Sequence, residues 1–326
     1  MSYTTAFEKP ADVREEWLGL LTTFRARRVF QHPVWQQVWL EEFGRGKDAL
    51  FLTVREGGRL AGLASLLREG DGVTFLGDYN ICDYMDFVLA PGEEEAVLSA
   101  ILDAILNEGW TELSLWGLRE DSPTLALLPR LVEGRGLDLQ VVEEAVCPQL
   151  ALPASWEEYV GSLGKKNRHE LRRKLRRCEG AAGEPALRAL RSAAEVEAGM
   201  DGFLSLMTLR CDKADFMTPD MDRFFRQAGV AMAGEGLARL YVLELEGKRV
   251  AALFCFEDDE ELLLYNSGYD PQYAHLSVGL LSKATCLRGA IEAGKRRFDF
   301  LRGCEPYKYD LGGKDLPVYR CLIKKG

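Results

Sequence analysis

Histidine is scarce in this sequence: His32, His169 and His275 are the only three in 326 residues, and they lie far apart. The eight cysteines include no C-x-x-C pair, so a zinc or iron centre lacks ligands at the usual spacing and no metal cofactor is expected. The cysteines stand singly, some inside apolar runs such as Leu253-Phe254-Cys255-Phe256, which is the usage of reduced thiols and not of a disulfide framework. No stretch approaches the roughly 18 apolar residues of a membrane span, and the N-terminal segment lacks an apolar core of signal-peptide length. A cytoplasmic protein is therefore expected. Net positive charge is missing too: 41 Lys+Arg against 51 Asp+Glu leave a formal charge of −10. That balance excludes a surface that grips nucleic acid or anionic lipid everywhere, and such a partner would need a local basic patch.

What remains is a globular composition, 47% hydrophobic and 28% charged, at a length that suits two ordinary domains. The most informative feature is a weak internal repeat. LFLTVREGGRLAGLASLL (50 to 67) and LYVLELEGKRVAALFCFE (240 to 257) both read as strand, Gly-containing turn, strand, and Glu56, Gly57, Arg59 and Leu63 match Glu246, Gly247, Arg249 and Leu253 at one constant offset. Each is a β-hairpin signal. A third strand follows each hairpin (72 to 77 and 261 to 268), then a helix (93 to 109 and 276 to 294) whose apolar residues recur at i, i+3/i+4, i+7, then a further strand (111 to 118 and 296 to 303). Antiparallel strands meeting one parallel crossover predict a mixed α+β sheet, not a doubly wound one. Between the units lie a helix after Ser122-Pro123, two strands around 137 to 152 and helical stretches at 155 to 178 and 192 to 234. The best division falls near residue 150, giving domains at 1–150 and 151–326.

Hairpin, strand, helix, strand is the core of the GNAT acyltransferase fold, and a tandem copy is the plan of the FemABX-like enzymes. Within that group the sequence closely resembles the CelD/BcsL family of acetyltransferases, which carry a BioF2-like acetyltransferase domain. The likeness lies in FLGDYNICDYMDFVLAPG (75 to 92), WEEYVGSLGKKNRHELRRKLRR (156 to 177), YNSGYDPQYAHLSVGLLSKA (265 to 284) and FDFLRGCEPYKYDLGGKDLPVYR (298 to 320). The resemblance implies tandem GNAT-like domains and acyl transfer from a carrier, acetyl-CoA or another acyl-CoA, to an amine or hydroxyl, with a small molecule or an envelope precursor as acceptor.

The residues support specific roles. The loop Asp270 to Gly279 precedes the second crossover helix, and a helix N-terminus offers free N–H groups and a positive dipole end. Tyr265, Tyr273, Ser277, Val278 and Gly279 are donor-binding candidates, together with Arg302 and Lys308 further on; in GNAT enzymes the equivalent loop holds the pyrophosphate of coenzyme A. Alternatively Ser277 only caps the helix. The first unit carries Asp78, Asp83 and Asp86 at the corresponding place, where a polyanion would be repelled. If the two units face one cleft, Asp83, Tyr84 and Asp86 suit the acceptor, or they form a solvated acidic turn.

Chemistry is expected in Phe298 to Lys308. Alternation sets Phe298 and Phe300 on one face and Asp299 on the other, on a strand that should be covered, with Arg302 and Lys308 as nearest cations. Ser114 occupies the matching position of the first unit. Asp299 or Glu305 can serve as base, and Tyr265, Tyr273 or Tyr307 as acid. Equally, Asp299, Arg302, Glu305 and Lys308 can form a structural ion-pair network.

The run 165 to 177 places eight Lys/Arg against Glu170 alone, with Leu171, Leu175 and Cys178 as a narrow apolar stripe, so a docked helix with a cationic face is expected. It suits a phosphorylated carrier or tRNA, an anionic membrane surface, or simple pairing with surface acids. FemABX enzymes use aminoacyl-tRNA as donor. Three functions thus stand open: acyl-CoA-dependent transfer, aminoacyl transfer from tRNA, and a non-catalytic adaptor that has kept the fold.

Overall fold

The computed structural model describes residues 2–22, 28–182, 186–209 and 215–325, which fall into two units, Met1–Val146 with Leu316–Gly326, and Cys147–Asp315. In the first unit the sheet runs in the order β1 (Tyr3–Phe7), β2 (Asp48–Glu56), β3 (Arg59–Glu69), β4 (Gly72–Phe75), β6 (Glu112–Arg119), β14 (Pro317–Lys325), β7 (Leu137–Val146), with β5 (Val88–Leu89) returning onto β3. Gly57 and Gly58 join β2 to β3 with φ of 54° and 93°, the positive values that a two-residue hairpin turn requires. From β4 the chain crosses through α3 (Glu94–Asn107) to β6, which pairs parallel from Gly72↔Glu112 to Thr74↔Ser114. Helix α3 buries Val97, Leu98, Ile101, Leu102 and Ile105. Gly62 admits it closely, since a Cβ there would lie 2.2 Å from Val97 Cγ1. Helices α1 (Pro10–Leu20), α2 (Pro33–Phe43) and α4 (Pro123–Glu133) complete the unit.

The second unit repeats the succession. Its sheet runs β8 (Gln149–Ala151), β13 (Arg297–Asp299), β12 (Glu261–Tyr269), β11 (Lys248–Glu257), β10 (Ala238–Leu245), β9 (Leu187–Leu190). The crossover helix is α9 (Val278–Glu292), and β12 and β13 pair parallel from Glu261↔Arg297 to Leu263↔Asp299. Ser114 and Asp299 therefore close the parallel ladder at the same point of each unit. Leu281, Ala284, Leu287 and Ile291 of α9 pack on Leu253, Leu262, Leu264 and Phe298 together with α5 (Trp156–Ser162) and α6 (Lys165–Ala182). Helices α7 (Ala193–Thr208) and α8 (Pro219–Gly234) pack against each other and on the sheet, where Phe254 meets Phe203 and Phe225. Gly268 lets α7 touch β12, because a Cβ would lie 2.3 Å from the Met207 amide nitrogen.

Three expectations change. The last residues do not stay with the second half: the second unit ends at Asp315, and β14 enters the first sheet between β6 and β7, where it gives β6 the partner that an edge strand lacks. The strand expected at 296 to 303 stops at Asp299, and 300 to 305 form a loop ahead of α10 (Pro306–Asp310). The described residues of the stretch 192 to 234 form two helices, α7 and α8; residues 210–214 lie outside the described ones.

Candidate active site

Because β12 and β13 are parallel, their C-terminal ends and the N-terminus of α9 lie at one end of the second unit, the place where parallel βαβ units expose ligand-binding backbone. The ladder between these strands closes after three pairs, the last Leu263↔Asp299. Beyond it the chain turns through Leu301 at φ 55° and Gly303 at φ 116°. Two buried side chains hold this loop. Asp299 is fully buried, and its carboxylate accepts the Leu301 N–H at 2.8 Å and the Gln149 Nε2–H at 2.7 Å. Lys308 is equally buried; its ammonium donates to the carbonyls of Leu301, Arg302 and Gly303 at 2.9, 2.8 and 3.1 Å and pairs with Glu305 at 3.0 Å. Lys308 is thus committed to the turn carbonyls, which gather there because the turn aims all three inward, and not to Asp299 as expected. Glu305 is exposed, and a side chain at 303 would collide with it, since a Cβ would sit 2.4 Å from Glu305 Oε2.

At the other side of this end, a 3₁₀ helix (Pro271–Leu276) leads to Ser277 in the left-handed conformation, φ 60°. Ser277 does not cap α9 through its side chain; its Oγ accepts a 2.6 Å hydrogen bond from the Arg177 guanidinium near the C-terminal end of α6. Val278 is buried in the core, whereas Gly279 lies against Tyr269, whose ring carbon would stand 2.7 Å from an added Cβ. Gly279 is therefore required by the Tyr269 contact before any ligand is considered. Lys283, buried one turn on, donates to the Gly279 carbonyl at 2.9 Å and stands 4.8 Å over the Tyr307 ring. It ties the start of α9 to α10, so Ser277, Gly279, Tyr307, Glu305 and Lys308 belong to one neighbourhood.

The matching helix of the first unit is different. Glu93 precedes α3 and Glu94 and Glu95 fill its first turn, with Glu93 accepting from Tyr3 Oη and pairing with Arg59 at 2.7 Å. Three carboxylates oppose an anion there, while the first turn of α9 carries no acid.

Other expected residues lie elsewhere. Tyr265 stacks on Phe225 at 5.7 Å within the aromatic cluster of Phe254 and Phe256, and it is the extra residue of a β-bulge opposite Phe254/Cys255. Tyr273 packs half-buried on the 3₁₀ helix. In the first unit, Tyr84 is buried under the Arg119 guanidinium at 4.6 Å. Asp86 receives the hydroxyls of Ser122 and Thr124 at the N-terminus of α4, and burial raises its carboxyl pKa despite those hydrogen bonds. Tyr84, Asp86, Arg28, Gln31, Arg119 and Ser122 line a cavity of about 90 Å³; Asp83 is not among its lining residues. Asp86 is thus packed into the first unit, while Asp78 and Asp83 of the same turn stay partly exposed.

Helix α6 forms as expected: Leu171 and Cys178 face the core and Arg172, Arg173, Arg176 and Arg177 are exposed. Arg173 holds Glu170 well below the usual carboxylate range, at about 2. Among the described residues no three His, Cys, Asp or Glu side chains are grouped to hold a metal, and no helix is long and apolar enough to cross a membrane. Lys283 and Gln149 were not singled out from the sequence. Lys283 carries a signal, a lone cation within the apolar positions of α9; Gln149 carries none, since its partner Asp299 is 150 residues away.

Residues 165–309, from the first residue of α6 into α10, match the family model of the acetyltransferase (GNAT) domain. No curated protein matches the sequence. Among solved structures, FemX aligns with a TM-score of 0.66 at 13% identity, over 97% of this chain and 96% of that one. The C-terminal domain of a protein described as a lysylphosphatidylglycerol synthetase from Agrobacterium fabrum aligns at 0.64 and 12%, over 98% and 93%. A tandem GNAT protein from the clavulanic acid biosynthesis pathway aligns at 0.53 and 13%, over 100% and 99%. The fold is α+β of the GNAT type, and the match of residues 165–309 of the second unit to the GNAT acetyltransferase domain marks the chain as an acyltransferase.

Proposed function

We propose that the protein transfers an acyl group from acyl-CoA, acetyl-CoA being the simplest donor, to an amine or hydroxyl acceptor, with the donor on the second unit. The carrying observation is the contrast between the two crossover helices. The first turn of α9 is free of acid and has Arg177 seated on Ser277, whereas α3 begins among Glu93, Glu94 and Glu95. The diphosphate of the donor is held by the N–H groups that open α9 and by Arg177. The acceptor nitrogen or oxygen attacks the thioester carbonyl carbon; the new bond forms as the C–S bond breaks. Glu305, the exposed carboxylate beside Lys308, takes the acceptor proton. Tyr307, held under Lys283, returns a proton to the departing thiolate. Asp299 acts on the loop and not on the proton, because both its oxygens are engaged in the interior. For the acceptor, the first unit offers the cavity that Tyr84 and Asp86 line. The likeness to the CelD/BcsL family supports a polysaccharide or envelope precursor as that acceptor.

A second reading, aminoacyl transfer from charged tRNA, is favoured by the cationic face of α6, which leads through Arg177 straight to the start of α9. Calorimetric titration separates the two. Saturable acetyl-CoA binding that Arg177→Ala weakens by tenfold or more supports the first. A tRNA complex with a steep salt dependence and no acetyl-CoA binding replaces it with the second. Binding of neither overturns both.

A further inference from the structure

Helix α9 spans 15 residues, so its C-terminal turn lies about 20 Å from the donor end at Ser277. Along that far half the second unit has another concavity, of about 520 Å³, between α9 and strands β9 and β10. This is the volume of a site for a small molecule. Its apolar wall is built from Leu187 and Ala189 on β9, Ala290 on α9 and Ala293 just after it, and the three alanines are too short to fill it. Gly289 adds open space, for an added Cβ there would touch nothing within 4 Å.

One end of the groove is charged. Glu257 is buried, accepts the Tyr241 hydroxyl at 2.7 Å, and has three cations around its carboxylate: Arg239 at 3.0 Å, Arg191 at 3.6 Å and Lys295 at 3.6 Å. One negative charge faces three positive ones. Arg191 and Lys295 line the groove, so the surplus points into it. The remaining lining pair, Arg288 and Glu292, cancels internally at 2.9 Å.

We propose that this groove binds a second small molecule that joins a phosphomonoester to a compact apolar body. A phosphomonoester carries nearly two negative charges at neutral pH, which balances the surplus at Glu257. Its apolar part lies on the alanine wall and removes that wall from water. Arg191, largely exposed, closes over the phosphate, while Lys295, largely buried, is its fixed contact. The site shares no residue with the donor end of α9, so it does not depend on the identity of the acyl donor.

Phenyl phosphate is the probe, titrated calorimetrically into the full chain beside inorganic phosphate and phenol. The expected result is one phenyl phosphate per chain, bound at least tenfold more tightly than either fragment. Arg191→Ala with Lys295→Met should weaken it tenfold or more. Lys295 also donates to the Asp258 carbonyl, so a second variant guards against a folding effect. Gly289→Leu fills the groove from a helical position where leucine favours the helix, and should abolish binding with the melting transition kept. Arg177→Ala, on α6 beside the opposite end of α9, should leave the phenyl phosphate affinity unchanged whatever it does to the acyl donor. Equal affinity in wild type and Gly289→Leu overturns the proposal, as does loss of phenyl phosphate in Arg177→Ala with retention in the double variant.

Discussion

Asp299 accepts the backbone N–H of Leu301, two residues on, at 2.8 Å, and Leu301 is one of three non-glycine residues with positive φ among those described. A left-handed conformation costs a leucine of order 1 kcal/mol, so the loop persists only because surrounding bonds fix it. Asp299 secures the N–H side, and Lys308 secures the three following carbonyls. The loop that presents Glu305 is thereby built in advance of any ligand. Preorganisation of this kind suits the base proposed for Glu305, which must stand in place when the acceptor arrives.

Asp299→Asn should cost stability. The Gln149 amide is oriented from both sides, donating to Asp299 and accepting from Arg297 at 3.0 Å, so an asparagine amide would set donor against donor. A loss of about 1 to 3 kcal/mol in chemical denaturation is expected. Turnover per folded molecule should stay within several-fold of wild type. A fall of two orders of magnitude with normal stability would return Asp299 to the role of base.

Lys308→Met should be more damaging. It strands three inward carbonyls and leaves Glu305 without its cation, for a loss of about 3 kcal/mol or more. Lys308→Arg should not rescue it, because a planar guanidinium cannot replace the compact ammonium among three carbonyls. Full stability of either variant would show that the loop is held by other bonds.

Much of the fold was legible because its signals are local. The run 50 to 67 pairs Leu50 with Leu66 around Gly57 and Gly58, as turn chemistry and alternation require. The expected shared face of Phe298 and Phe300 appears as ring centroids 4.8 Å apart. What was not legible depends on partner choice over long separations. The Arg177–Ser277 bond spans 100 residues and the Gln149–Asp299 bond 150, and nothing in either segment names the other. The return of β14 to the first sheet is of the same kind, since its alternation fits any open edge. For the candidate site, the sequence pointed to the segment 298 to 308 but not to which of its carboxylates is buried. Whether Asp299 or Glu305 faces solvent is decided by where β13 stops, and strand ends are set by tertiary packing.

Asp86 makes the first unit sensitive to pH in a defined direction. Burial raises its carboxyl above the ordinary value of 3.8, with Ser122 and Thr124 opposing. A raised folded-state pKa means stability fully present below the unfolded value and lost as pH rises through the folded one. Asp86→Asn removes that loss. Melting temperatures measured from pH 3.5 to 7 should therefore move in the variant's favour, relative to wild type, as pH rises above 4. A difference that is flat across the range would mean that Asp86 is no harder to ionise folded than unfolded.

Glu305→Gln is the sharpest test of the chemistry, because the two roles open to Glu305 separate cleanly. As a structural partner it contributes little: its carboxylate is more than half exposed, and Lys308 retains three carbonyls without it. Stability should accordingly stay within about 0.5 kcal/mol. As a base it is indispensable, since glutamine has the same shape and cannot take a proton, and turnover should drop by roughly 10²-fold or more. Donor affinity should hold, because the contacts proposed for the diphosphate lie on α9 and Arg177. If Glu305→Gln keeps its rate, the proton leaves by another route, and Tyr307, fixed under Lys283, becomes the residue to replace next.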